Sequence, residues 1–103
     1  MSQPTVQRDG DALVFTGTLD RAAAQALWPA TQRALDGARR LDLTAVASVD
    51  SAGLALLVAA ATRLRAGGAG DVQVDGAPTG LAELCAAYRL TPALDYVPAL
   101  RPA

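Results

Sequence analysis

The side chains able to do chemistry in this chain of 103 residues are few. Histidine and lysine are absent, every basic residue is an arginine, and Glu83 is the single glutamate among 10 acidic residues. Without histidine there is no imidazole general base, no Ser-His-Asp triad and no His-based zinc site. Without lysine there is no P-loop and no Schiff base. What remains is Asp20, Thr44, Ser48, Asp50 and Ser51, with Cys85 as the single thiol. Two carboxylates held at one end of a sheet could act as an acid/base pair or bind Mg²⁺. As helix caps they would do no chemistry at all. A chain this short, with no inserted loops, has little to wall a pocket around them, so the expectation is no catalysis, no metal and no cofactor. Cys85 is spaced with Leu81, Leu84 and Tyr88 on one helical face. It reads as a small buried hydrophobe, because no base stands near to activate it.

The elements that must position these groups centre on Leu41 to Leu64. Leu41-Asp42-Leu43 alternates as a short strand. A polar, irregular joint follows through Thr44 and Ser48. Asp50-Ser51 then opens a helix, with Ser51 as its N-cap and Asp50 adding negative charge where the helix dipole favours it. From Ser51 to Thr62 the helix carries no charge. Leu54, Leu57, Val58, Ala61 and Leu64 form the stripe expected to face the core. Ala52, Leu56, Ala59 and Arg63 fall on the other side. That side reads either as an alanine-rich surface, alanine being the best helix former, or as a docking patch.

Asp50-Ser51-Ala52-Gly53-Leu54, preceded by Leu41-Asp42-Leu43, resembles the signature of the STAS family (sulfate transporter and anti-sigma factor antagonist domains). Val14 to Asp20 is similar to that family's second strand and its exit, and the resemblance covers nearly the whole chain. Within the family, the stretches Asp50 to Leu57 and Leu81 to Leu90 are most similar to the small STAS subunit of the bacterial lipid-asymmetry ABC transporter. The resemblance implies a mixed four-stranded sheet with helices mainly on one face, and a non-catalytic regulatory role. It also implies that the hydroxyl residue after the motif aspartate, here Ser51, is the regulatory position, phosphorylated in anti-sigma factor antagonists. Two partners follow: an ABC ATPase subunit, docked on Ala52, Leu56, Ala59 and Arg63 beside the Asp20, Asp50 and Gly53 loops, or an anti-sigma factor kinase acting on Ser51. The transporter subunits typically carry threonine where this chain has Ser51, which keeps the second partner in view. Ala52 and the apolar Ala55-Leu56-Leu57 run favour the first.

In chain order, Thr5–Arg8 and Ala12–Leu19 read as strands joined at Asp9-Gly10, a two-residue hairpin signal. Gly17 marks a bulge or a close backbone approach. Asp20 can cap the helix Arg21–Asp36, in which Pro29 predicts a kink or break near Trp28 and Gly37 the end. Trp28 reads as a core plug. Gly67 to Gly70 is glycine-rich but follows a helix and precedes a strand, the wrong order for a phosphate cradle. Asp71–Asp75 alternates as a fourth strand, Leu81 to Leu90 forms the last amphipathic helix, and Thr91 to Leu94 suggests one further turn. Residues from Tyr96 onward should trail along the surface.

The alternation of strands and helices predicts parallel pairing after the first hairpin, in one domain over residues 1–103. A formal net charge of −1 argues against nucleic-acid binding. The first residues lack a basic and apolar leader, and no window is long enough to insert in a membrane. A cytoplasmic location is expected, peripheral to the inner membrane if the transporter partner is right.

Overall fold

The computed structural model describes residues 3–69, 72–91 and 94. Strands β1 (Thr5–Asp9), β2 (Ala12–Leu19), β3 (Arg40–Val49) and β4 (Gln73–Asp75) lie in the order β1-β2-β3-β4. β1 and β2 are antiparallel; β2, β3 and β4 are parallel. Helix α1 (Arg21–Ala34) connects β2 to β3, α2 (Ser51–Leu64) connects β3 to β4, and α3 (Leu81–Ala87) follows β4. The sheet is therefore mixed and four-stranded, as the alternation of elements predicts. The hairpin turn falls on Gly10-Asp11, one residue later than expected, because Asp9 pairs with Ala12. Gly10 there has φ of 59°.

The core lies between one sheet face and the helices. Leu13, Phe15 and Leu19 of β2 and Leu41, Leu43, Val46 and Val49 of β3 are buried with Ala23 and Leu27 of α1 and Leu57, Ala60 and Ala61 of α2. The opposite sheet face carries Gln7, Thr16, Thr18, Asp42 and Gln73, with Ala12 and half-buried Val14 among them, and is mostly polar. The buried hydroxyl of Thr31 donates to the carbonyl of Leu27 at 2.8 Å, so it enters the core with its bond made.

β3 is much longer than the expected Leu41–Leu43. Val14 faces Asp42 but Thr16 faces Ala45, so one extra residue is taken up opposite Phe15. Gly17 faces Val46 but Thr18 faces Ser48, which takes up Ala47. These two bulges break the strand's alternation without ending it. They let Leu41, Leu43, Val46 and Val49 all reach the core at uneven spacing. Asp42 closes the first bulge: its Oδ1 accepts the Thr44 N–H at 2.9 Å and the Thr44 hydroxyl at 2.6 Å. Gly17 also has the close approach its sequence position suggested, since a Cβ there would stand 3.0 Å from Pro4 Cα.

Pro29 does not break α1, which runs through it. The carbonyl left without a donor belongs to Gln25, an exposed residue that water can serve. The guanidinium of Arg8 donates to the carbonyls of Ala34 and Asp36 and so closes the far end of that helix. α2 widens into a turn over Arg65–Ala69, which Gly68 leaves at φ of 96°. Of the expected C-terminal turn only Thr91 and Leu94 are described, with the Leu94 N–H on the Thr91 carbonyl. The expected trailing segment from Tyr96, and Asp71 of the expected fourth strand, lie outside the described residues. No described helix is long and apolar enough to cross a membrane.

Candidate docking site

Because β2 and β3 are adjacent and parallel, both strands end at the same edge of the sheet, and Asp20 and Asp50 stand there together. Each is an N-cap. Asp20 Oδ1 accepts the Ala23 N–H at 2.9 Å, and Asp50 Oδ1 accepts the Gly53 N–H at 2.9 Å. The cap of α2 is therefore Asp50 and not Ser51, as was expected from the sequence. Its carboxylate reaches the third residue onward, while Ser51 already has helical geometry. Both carboxylates are engaged in holding helix starts.

Three loops converge here. The Asp50 N–H donates to the Leu19 carbonyl at 3.1 Å, joining the ends of β2 and β3. The Val49 N–H donates to the Thr79 carbonyl at 2.9 Å, bringing the start of α3 alongside. Gly53 and Gly80 permit the approach. A Cβ on Gly53 would lie 2.0 Å from the Leu19 oxygen, and one on Gly80 2.5 Å from the Val49 oxygen. Ser48 is half-buried and bridges to Thr79, whereas Thr44 belongs to the bulge farther back on β3. Ser51 alone of the two serines projects freely to solvent at this end.

The exposed side of α2 differs from expectation. Leu56 is only 4% exposed and lies in the core with Leu54 and Leu57. Helical residues advance about 100° each, and the buried arc, running from Leu56 through Ala60 to Leu54, is turned by roughly half a step from the expected stripe. α1 packs beside α2 and covers the Leu56 flank, so α2 buries a wider arc than a helix resting on a sheet alone. The outward seam is Ser51, Ala55 and Thr62, flanked by half-buried Ala52, Val58 and Ala59. Arg63 is exposed but lies over the ring of half-buried Trp28, 5.2 Å from its centroid.

Beside this seam runs an apolar groove of about 360 Å³. Ser51, Leu54, Ala55, Val58 and Ala59 form its α2 wall; Tyr88 and Leu90 form the other. Ala55, Val58, Tyr88 and Leu90 were not among the expected site residues. Tyr88 was expected on the buried face of α3. The helix ends at Ala87, so Tyr88 is its C-cap and is 52% exposed. The signal for an early end was weak, because no glycine or proline follows Tyr88 directly. Cys85 is half-buried, and desolvation pushes its thiol pKa upward, away from thiolate chemistry.

A mixed sheet with helices on one face, and capped helix starts gathered at one edge beside an apolar groove, define a small α/β fold of the STAS type. The chain belongs to the STAS family: the family model described as Mlab, STAS domain matches residues 3–96. It is similar to the intermembrane phospholipid transport system binding protein MlaB of Escherichia coli K12, with 41% identity over 49 residues, 48% of this chain and 50% of that protein. The MlaB of Shigella flexneri matches equally, at 41% over 49 residues. The match thus spans about half the length of these curated relatives. A crystal structure described as an analysis of Mglu aligns over 74% of this chain and 19% of its own, with 28% identity and a TM-score of 0.49.

Proposed function

We propose that this chain is a non-catalytic docking subunit that binds and regulates the ATPase subunit of a phospholipid-transport ABC system. The observation that carries the reading is the uncharged seam of α2, which begins at exposed Ser51 and borders the apolar groove. A contiguous apolar face beside a free hydroxyl suits protein contact better than solvent. Similarity to the MlaB proteins supports a phospholipid transport system as the setting. In this reading Ala52 and Ala59 let the partner's backbone come close, Ser51 sits at the rim, and Arg63 lies farther along α2. The protein would then be cytoplasmic and held at the inner membrane through the complex.

The test is co-purification with the ATPase subunit of a phospholipid-transport ABC system from the same organism, using wild type and Ala59→Glu. Retention of the ATPase by wild type and its loss with a folded Ala59→Glu is the expected result. Capture of neither, or capture by both, contradicts the reading. A second reading, an anti-sigma factor antagonist switched by phosphorylation of Ser51, is favoured by one observation: capping by Asp50 leaves the Ser51 hydroxyl exposed and unneeded by the helix. Incubation with a cognate anti-sigma kinase and ATP, followed by mass spectrometry of the peptide containing Ser51, tests it.

A further inference from the structure

We draw no further inference here: the strongest candidate, the apolar groove between α2 and the end of α3, belongs to the docking site already described, and nothing in the structure shows what covers it.

Discussion

A Cβ placed on Gly53 would stand 2.0 Å from the carbonyl oxygen of Leu19, closer than any side chain is tolerated. This contact sets how tightly α2 lies on the end of β2. It also explains why a glycine is needed in the third position of α2, where it lowers helix propensity. The same Leu19 carbonyl accepts the Asp50 N–H, so the obstructing atom is fixed by the sheet and cannot turn aside. Gly53→Ala should therefore push α2 off the sheet and cost about 3 kcal/mol or more. Urea denaturation checks this; a loss below about 0.5 kcal/mol would mean that α2 can shift freely.

The burial of Leu56 divides two substitutions that the sequence alone places together. Leu56→Asp puts an unpaired carboxylate into the core beside Leu57 and Ala60, a cost comparable with the whole stability of a small domain. It should behave like Leu54→Asp and unfold the protein. Ala59→Glu sits on a half-buried flank where the new side chain can swing to solvent, so stability should change by about 1 kcal/mol or less. Circular dichroism of the three variants separates them. A folded Leu56→Asp would show that α2 is turned as its apolar stripe first suggests.

In this chain tertiary neighbours decide what a local sequence pattern means. The parallel placement of Asp20 and Asp50 at one edge was legible, because alternating elements allow few topologies. β3 was not legible beyond Leu43, since two bulges disguise a continuous strand as a broken one, and a bulge depends on the partner strand. Leu56 was misplaced because its covering comes from α1, and helix-on-helix packing leaves no mark in the periodicity of α2. Asp50 and Ser51 are both good caps, and only the geometry at Gly53 distinguishes them. Tyr88 was missed because the left-handed turn that ends α3 is carried by Arg89, a residue type that seldom signals one.

Asp50 and Ser51, adjacent in the chain, should separate cleanly by substitution. Asp50→Ala removes the acceptor for the Gly53 N–H and should cost about 1 kcal/mol. Ser51→Ala should alter stability by less than about 0.5 kcal/mol, since the hydroxyl makes no capping bond. Ser51→Asp and Ser51→Glu place negative charge in the first turn of α2, where the dipole favours it, and should stay folded. Their affinity for the partner should fall, because the added charge must be desolvated against an uncharged face. Thermal melts paired with binding measurements check both halves. Equal partner affinity for Ser51→Ala, Ser51→Asp and wild type would remove Ser51 from the interface.

The bulge at Asp42 makes part of the fold sensitive to acid. Its carboxylate accepts both the hydroxyl and the backbone N–H of Thr44, and these bonds, the hydroxyl foremost, hold its pKa below the ordinary carboxylate value. A carboxyl whose pKa is lower folded than unfolded adds stability that is complete above its unfolded pKa, about 3.9. That stability is lost as pH falls through the folded value. Asp11 shifts in the same direction through its bond to Arg40, which also pairs with Asp75 across to β4. The Arg40–Asp11 pair is exposed and the Arg40–Asp75 pair half-buried, so high salt should weaken the first most, whereas the short-range bonds within the Asp42–Thr44 bulge should persist. Thr44→Val keeps the shape of the side chain and removes the hydroxyl donor. In that variant the Asp42 pKa, followed by NMR, should rise toward the ordinary value, and the acid limb of the stability curve should shrink. The shift should survive high salt. An Asp42 pKa unchanged in Thr44→Val would show that the backbone N–H alone holds the bulge closed.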